Sequence, residues 1–438
     1  MSSTIRVASI TDSPKIHSGF GNVARMILGG FHDYGFEVYS FGTMDKHEDF
    51  KKELPYPFRP SVGMDELGFR EAALFLVDVM PDVIFLLYDP GSAMSYLDMI
   101  FALQDNGSVR KCPVVLYTPI EGLPIPASTA KLFSTILERS GVIVLYSPGM
   151  VKLVEKQYPD LSGHLNFAYH GLDHADFSPI SKTLKDSYRS QVGWSDYFVV
   201  GNVGVNKRTK GQDYIIYTAR CLRDMGKDKG IKFYIHTNPY QSTLGGYPLI
   251  DMASNYGVSD MFVWRPGNDE PGGNIRGLST VTDKEQYDKA VGYEPKLASM
   301  GYTDRLRMLD CFIDLSQVEG WGLPPHEAMR CGIPIISVKD KSIREEVYDG
   351  GVIYLDALPF RLWSTWHTGV KLVLVDPVDA AEAIIELKNS DDIIKKFWSD
   401  AAIKNASKYD WKPTQDKFIQ IVKEVHDSYE YVDEMSGV

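Results

Sequence analysis

The sequence predicts an α/β protein built from two doubly wound parallel sheets, and three observations lead to this class. Short apolar and β-branched runs recur along the chain and are apolar almost throughout, as in parallel strands covered on both faces. Helical patterns, such as 22–34 and 213–225, separate these runs. The alternation starts twice, on either side of the turn-rich stretch 169–179. Two such series imply two Rossmann-like domains that face a cleft.

The first series predicts a domain over residues 1–178. Helical patterns at 22–34 and at about 67–80 lie between its first strands, which gives the strand–helix–strand wiring of a parallel sheet. The predicted strands are 5–10, 83–88, 114–117 and 142–146.

The second series predicts a domain over residues 179–408, with a helix at 213–225. The segment 265–302 interrupts this series and is rich in Gly, Asn, Asp and Pro. We interpret it either as a surface insertion or as a substrate lid. The predicted strands are 197–203, 232–236, 261–264, 311–315 and 333–338.

The composition excludes several classes of protein. Of the 438 residues, 44% are hydrophobic, which excludes wholesale disorder. The net charge of −12 disfavours general nucleic-acid binding, although it does not exclude a local basic cleft. The four cysteines form no C-x-x-C pair, so we expect neither a disulfide scaffold nor a zinc ribbon. No apolar run reaches the roughly 18 residues that a membrane span needs, and a cytoplasmic protein is the expectation.

The strongest functional signal is the segment 316–332, SQVEGWGLPPHEAMRCG, which follows the predicted strand 311–315. Gly320 and Gly322 form a loop at the end of that strand, and a Pro-Pro pair then starts a short helix. Bare backbone N–H groups and the positive end of the helix dipole would then meet the carboxyl edge of a parallel sheet. Such a position binds phosphate groups.

Two carboxylates flank this loop, Glu319 and Glu327, eight residues apart. We expect Glu327 in the first turn of the helix. A carboxylate there can accept hydrogen bonds from the vicinal hydroxyls of a ribose or a hexose. The alternative is that Glu327 only complements the helix dipole and that Glu319 is solvated.

The stretch EGWGLPPHEAMRCGIPIIS, residues 319–337, resembles the E-x7-E segment of retaining glycosyltransferases of the GT-B fold, family 4. The resemblance implies that Glu327 holds the ribose hydroxyls of a donor nucleotide and that Glu319 lies at the transferred sugar. It also implies that backbone amides around Gly322 and Leu323 meet the sugar and the diphosphate, with Gly320 in the same donor-binding loop.

A second signal is the loop 201–213, GNVGVNKRTKGQD, between a strand and a helix. Its basic side chains could neutralise a diphosphate leaving group, or they could belong to a solvated loop. The loop resembles the glycine-rich strand end and R-x-K-G sequence that open the second domain in the same family. The resemblance implies that Arg208 and Lys210 form the diphosphate clamp.

A third signal is the segment 17–25, HSGFGNVAR, after the first predicted strand. Glycine at such a turn lets a ligand approach the backbone closely. Gly19 and Gly21 resemble the first glycine-rich loop of the family, which faces the donor phosphate and the acceptor. His17 is either a structural residue or a contact to the sugar or acceptor.

Two further segments complete the resemblance. Many family members carry a histidine where this chain has YTPIEGLPIP, residues 117–126, so we take Thr118 and Glu121 as candidate sugar or acceptor contacts instead. Residues 409–438 begin with YDW and resemble the closing segment of the family, whose last helix packs back onto the first domain.

The resemblance implies transfer of a hexosyl or pentosyl group, with retention, from a nucleoside-diphosphate sugar to an acceptor hydroxyl. UDP- or GDP-linked sugars are the expected donor substrates, and no cofactor is expected. The chain has no D-x-D motif of the kind that holds a divalent metal in the GT-A class, so we predict metal-independent transfer.

Other functions stay open on the sequence. A glycoside hydrolase could use the two glutamates as acid and base, although it needs no basic clamp. A nucleotide-sugar 2-epimerase shares the GT-B architecture, and a non-catalytic nucleotide-sugar-binding protein belongs to a different class. The acceptor is open among a sugar, a small molecule, a protein and a hydroxymethylated DNA base.

Overall fold

The structure is a computed structural model that describes residues 4–43, 53–63, 65, 67–240, 245–265, 295–339, 344–358, 362–363 and 370–436. The chain divides into two compact units. The first contains the described residues of Met1–Gly171, Thr368–Val370 and Tyr409–Val438, and the second contains those of Leu172–His367 and Lys371–Lys408.

The first unit is built on a parallel sheet of seven strands in the order β3-β2-β1-β4-β5-β6-β7. Every residue of the two central strands β4 and β5 is buried, as their continuous apolar sequences predict. The strands are β1 (Arg6–Asp12), β2 (Glu37–Thr43), β3 (Phe58–Pro60), β4 (Val83–Leu87), β5 (Val114–Thr118), β6 (Val142–Leu145) and β7 (Leu165–Phe167).

Helices alternate with these strands, and their starts follow the capping rules. The side chains of Ser18, Asp89 and Ser147 each accept a hydrogen bond from a backbone N–H in the first turn of the helix that follows. The helices are α1 (Gly19–Tyr34), α2 (Phe69–Val79), α3 (Pro90–Asp105), α4 (Ala127–Glu138) and α5 (Pro148–Gln157).

The second unit is built on a parallel sheet of six strands in the order β10-β9-β8-β11-β12-β13, beside a small antiparallel pair, β14 and β15. An apolar core cluster includes alternate residues of β9 and β11 (Ile231, Phe233 and Ile235; Cys311 and Ile313), which share one face of each strand. The strands are β8 (Phe198–Val203), β9 (Ile231–His236), β10 (Phe262–Arg265), β11 (Cys311–Asp314), β12 (Ile335–Lys339), β13 (Val352–Asp356), β14 (Leu362–Trp363) and β15 (Lys371–Leu372).

The helices of the second unit range from single turns to four turns, and a short 3₁₀ turn, Arg208–Lys210, precedes one of them. They are α6 (Lys182–Gln191), α7 (Gln212–Asp224), α8 (Leu249–Asn255), α9 (Pro295–Ser299), α10 (Tyr302–Arg307), α11 (Leu323–Arg330), α12 (Arg344–Val347), α13 (Pro377–Asn389) and α14 (Asp392–Ala406).

The chain ends in a long helix, α15 (Trp411–Ser436), which packs within the first unit. The Gln415 amide donates to the Met26 carbonyl oxygen of α1 at 2.7 Å. The Phe418 ring lies edge-on to Phe85 of β4, with ring centroids 5.5 Å apart. Among the described helices, none is both long and apolar enough to cross a bilayer.

The predicted class, two parallel α/β sheets with a helical C-terminus, is confirmed. Six of the described strands were not predicted: β2, β3, β7, β13, β14 and β15. β2 alternates between half-buried and buried residues at its start, and β3 and β7 are three-residue edge strands, so none of them shows a long apolar run. Of the segment 265–302, residues 266–294 lie outside the described residues, so the insertion and lid interpretations stay predictions.

Candidate functional site

The two strongest sequence motifs lie side by side in the second unit, because their strands are neighbours. β8 and β11 pair in parallel, so the loops that follow them leave the same edge of the sheet. The backbone N–H of Gln317, after β11, donates to the Thr209 carbonyl oxygen, after β8, at 2.7 Å. Within the β11 loop, the carboxylate of Asp314 accepts from both the backbone N–H and the hydroxyl of Ser316, which fixes the turn.

An ion pair joins the two loops. Lys210 Nζ lies 2.6 Å from Glu319 Oε2, and the two side chains are 28% and 16% exposed. Two residues that the sequence analysis assigned to separate motifs are thus in direct contact. Their partial exposure leaves both charged groups within reach of a ligand at this sheet edge.

Gly322 links the loop to α11 in a conformation that favours glycine. Its φ is +82°, and a Cβ atom there would stand 2.1 Å from the Tyr348 hydroxyl oxygen. The same hydroxyl donates to the Trp321 carbonyl oxygen at 3.1 Å. Gly320 is buried in the same loop, and Leu323 is the half-buried first residue of α11.

A buried histidine supports this loop from within α11. His326 Nδ1 lies 2.8 Å from the Gly322 carbonyl oxygen, and the imidazole stacks on the Trp321 ring with centroids 4.7 Å apart. Burial lowers the pKa of His326 to about 4, so the ring is neutral at physiological pH. His326 therefore stabilises the loop and does not add a positive charge to it.

Glu327 lies just beyond the first helical turn, in which the sequence analysis expected it. It is the fifth residue of α11 rather than a first-turn residue, because the helix begins at Leu323, directly after the positive-φ Gly322. Its Oε2 accepts a hydrogen bond from the Tyr302 hydroxyl at 2.6 Å. Burial raises the pKa of Glu327 to about 7, and the hydrogen bond from Tyr302 offsets part of this rise.

Arg208 belongs to the same turn as Lys210 but has different neighbours. Its guanidinium is exposed and lies over the Tyr247 ring, 5.5 Å from the centroid. It also interacts with Asp213, at the start of α7. Burial raises the pKa of Asp213 to about 6, and the positive charge of Arg208 offsets part of that rise. The structure thus brings Lys210 to Glu319, whereas Arg208 lies over the Tyr247 ring and interacts electrostatically with Asp213.

The glycine-rich candidates of the first unit lie at the start of α1. His17 and Gly19 are exposed, and Gly21 is buried where a Cβ atom would stand 2.6 Å from the Ser13 carbonyl oxygen. The Ser18 hydroxyl accepts from the Gly21 N–H at 2.9 Å and donates to Asp12 at 2.8 Å. This arrangement fixes the loop between β1 and α1.

The other two candidates of the first unit follow β5. Thr118 is the last residue of that strand and is fully buried, and Glu121 is half-buried three residues later. Both therefore lie on the carboxyl side of the sheet, as does the loop after β1. Over the described ranges, no group of three or more His, Cys, Asp and Glu side chains is arranged to hold a metal ion.

Sequence reasoning missed several residues that build the site. Tyr302 lies in a segment noted only for its composition, and no spacing rule links it to Glu327, 25 residues later. Asn206 lies in the basic loop 201–213, but the sequence did not predict its role. Its amide N–H groups donate to the carbonyl oxygens of Asn238, Tyr240 and Tyr247, which ties the turn to the segment after β9.

Comparison with known proteins gives the class to which this geometry is similar. Residues 296–397, which include Glu319 and Glu327, match the sequence model of a family described as "Glycosyl transferases group 1". No curated protein matches the chain. The two parallel α/β sheets, together with this matched stretch, are similar to those of GT-B glycosyltransferases.

Solved structures share the fold along nearly the whole chain. Sucrose-phosphate synthase from Thermosynechococcus elongatus has a TM-score of 0.67 at 13% identity, over 97% of this chain and 100% of that one. Anabaena HepE in complex with UDP and glucose has a TM-score of 0.63 at 13% identity, over 96% and 100%. A glycosyltransferase from Rickettsia africae has a TM-score of 0.65 at 10% identity, over 97% and 99%.

Proposed function

We propose that the protein is a retaining glycosyltransferase of family 4 that moves a hexosyl or pentosyl group from a nucleoside-diphosphate sugar to an acceptor hydroxyl. The contact between Lys210 and Glu319 carries this proposal. It brings a cation suited to a diphosphate and a carboxylate suited to sugar hydroxyls to one sheet edge, and Glu319 lies in the stretch 296–397 that matches glycosyltransferases.

In this proposal different residues bind different parts of the donor. Lys210, with Arg208 on the same turn, faces the diphosphate, and the amides at Gly322 and Leu323 at the start of α11 add hydrogen-bond donors. Glu319 accepts from hydroxyls of the transferred sugar, and Glu327 accepts from the ribose. UDP- or GDP-linked sugars are the proposed donors, and the complex of Anabaena HepE with UDP-glucose supports a UDP sugar.

The chemistry is electrostatic. Negative charge develops on the leaving diphosphate as the glycosidic bond breaks, and Lys210 together with the loop amides stabilises it. The acceptor oxygen attacks the same face of the sugar that the diphosphate leaves, and the leaving phosphate takes up the acceptor proton. In this scheme the protein supplies no nucleophile and needs no metal, and retention follows from the front-face attack.

In this proposal the first unit supplies the acceptor side of the reaction, and its glycines Gly19 and Gly21 take part in donor binding. The loop after β1, with His17, Gly19 and Gly21, and the loop after β5, with Thr118 and Glu121, both leave the carboxyl edge of its sheet. The acceptor classes are a sugar, a small molecule, a protein and a hydroxymethylated DNA base. A cytoplasmic location is proposed with them.

A two-stage experiment tests the function. UDP-, GDP- and ADP-glucose are first compared as stabilisers of the protein in thermal unfolding. The donor that stabilises it is then incubated with mixed acceptors and excess EDTA, and mass spectrometry and NMR report the product and its anomeric configuration. We expect a transferred sugar with retained configuration and an undiminished rate in EDTA.

Four results would contradict parts of this proposal. If no nucleotide sugar stabilises the protein, the donor site is wrong. Conversion of the donor without an acceptor would indicate a 2-epimerase, and donor binding without any turnover would indicate a non-catalytic binding protein. Loss of activity in EDTA that Mg²⁺ restores would contradict metal independence alone.

A further inference from the structure

Tyr302 contacts the donor-site carboxylate from a different part of the chain. It is the first residue of α10, and its hydroxyl donates to Glu327 Oε2 on α11 at 2.6 Å. Among the residues that the structure describes, Tyr302 is the one hydrogen-bond donor to this carboxylate. The roles proposed above for the donor site do not use it.

The Tyr302 ring is itself held in place by aromatic contacts. Its centroid lies 5.6 Å from the imidazole of His236, at the end of β9, with the rings 73° apart. The Phe177 ring, in the segment before α6, packs edge-on against the Tyr302 ring with centroids 6.2 Å apart. The hydroxyl is therefore aimed at Glu327 by packing from two other segments, which is how a preorganised donor is built.

A carboxylate offers about four lone-pair positions, two on each oxygen. Tyr302 occupies one of them on Oε2 and fixes the rotation of the carboxylate plane. Oε1 then keeps a fixed direction in which to accept hydrogen bonds. Two vicinal ribose hydroxyls need such an acceptor, whereas a deoxyribose offers one hydroxyl fewer.

We propose that Tyr302 is a positioning residue for ribose recognition: its hydroxyl bond to one carboxylate oxygen of Glu327 orients the other oxygen toward the 2′ and 3′ hydroxyls of a nucleoside diphosphate. This inference rests on the proposed function. It assigns discrimination between ribose and deoxyribose to a residue outside the E-x7-E segment.

The hydrogen bond also acts on the charge of the carboxylate. It lowers the pKa of Glu327, which burial raises to about 7, so removing the hydroxyl makes the carboxyl protonate at a higher pH. The other titratable groups that face this pair are Tyr234 and His236 of β9 and Cys331, which follows α11. Arg307 and Arg330 interact in turn with Cys331.

The test uses the full chain and measures binding by titration calorimetry. The probes are UDP, GDP and ADP, each compared with its 2′-deoxy form, between about pH 6 and pH 8 around the titration of Glu327. The variant Tyr302→Phe removes the hydroxyl alone. Tyr256→Phe, at a 38% exposed tyrosine after α8, is the matched control.

For Tyr302→Phe we expect affinity for the ribonucleotide to fall about tenfold, as for loss of a hydrogen bond to a charged group. The ratio of ribo to deoxy affinity should fall toward one, and the pH midpoint of binding should move upward. Tyr256→Phe should change none of these. If Tyr302→Phe does not fold, 3-fluorotyrosine at position 302 keeps the ring and makes the hydroxyl a stronger acid, and the midpoint should then move downward.

Each contrary result has a distinct meaning. The positioning role would be wrong if Tyr302→Phe weakened binding of the ribo and deoxy nucleotides equally. It would also be wrong if the variant changed neither the ratio of the two affinities nor the pH midpoint of binding. The proposed function would stand in both cases. A wild-type protein that binds nucleotide without ribose discrimination would likewise overturn the positioning role alone. A wild-type protein that binds none of the probes would overturn both the inference and the proposed function.

Discussion

Lys210 Nζ lies 2.6 Å from Glu319 Oε2, across 109 residues of sequence, where two neighbouring strands of one sheet end. Both side chains are partly exposed, so water screens the pair and the bond is modest in strength. A diphosphate brings more negative charge than one carboxylate and can take over the ammonium group. Glu319 would then be released to accept hydrogen bonds from the sugar.

Removal of the ammonium group tests this exchange. In Lys210→Met we expect kcat to fall by about 10²- to 10³-fold, because the charge on the leaving diphosphate loses a preorganised cation. The KM for the donor should rise as well. Initial rates at varied donor concentration measure both quantities.

The matched control is Lys396→Met, which removes an exposed lysine of α14 that pairs with Asp400 on the same helix. It should leave both constants unchanged. A Lys210→Met enzyme with the wild-type kcat would show that the ion pair is structural.

The ionised carboxylate of Glu327 should lower the free energy of unfolding above the pKa of this group, which burial raises from 4.5 to about 7. The folded chain binds this proton more tightly than the unfolded chain, so stability falls as pH rises between those two values. Glu327→Gln removes the buried charge. We therefore expect a gain on the order of 2 kcal/mol at about pH 8 and little change at about pH 4.

Denaturant unfolding at the two pH values measures this difference, and nucleotide binding is measured in parallel. The same variant should bind the donor more weakly, because an amide accepts fewer hydrogen bonds than a carboxylate. Equal effects on stability at both pH values would show that Glu327 does not titrate in this range.

The sequence could predict the features that depend on local pattern. The continuous apolar runs of β4 and β5 predicted a buried parallel sheet, and the E-x7-E spacing indicated the donor loop. It could not predict Tyr302, because that contact depends on how α10 packs against α11. It also could not assign different partners to Arg208 and Lys210, since neighbours on one turn point in different directions.

Gly322 should tolerate no side chain, for reasons of both conformation and space. Its φ is +82°, and an added Cβ atom would stand 2.1 Å from the Tyr348 hydroxyl oxygen. For Gly322→Ala we expect the free energy of unfolding to fall by about 3 kcal/mol, from the strained conformation and the clash together. Denaturant unfolding measures the loss.

The control separates the two causes. Gly226 also has a positive φ, of +65°, but within the described part of the chain an added Cβ atom there meets nothing within 4 Å, so Gly226→Ala should cost about 1 kcal/mol. In a Tyr348→Phe background the clash is relieved, and Gly322→Ala should then cost less than it does in the wild type. An equal cost in both backgrounds would show that the Tyr348 hydroxyl does not set the loop.

Ser18 has two functions at the start of α1, and its removal should give a pH-dependent loss of stability. Its hydroxyl caps the helix through the Gly21 N–H, and a lost cap costs about 1 kcal/mol. It also donates to buried Asp12, whose pKa is raised by burial and lowered by this bond. Ser18→Ala therefore makes the charged form of Asp12 less favourable, so the variant should lose more stability at neutral pH than in acid.

Ser181→Ala provides the comparison, because Ser181 caps α6 through the Leu184 N–H and, among the residues that the structure describes, is not bonded to a buried carboxylate. Its cost should be about 1 kcal/mol at both pH values. Unfolding curves for the two variants at acid and neutral pH measure how each loss of stability depends on pH. A Ser18→Ala cost that does not change with pH would mean that the hydroxyl acts on α1 alone and that the ionisation of Asp12 does not depend on it.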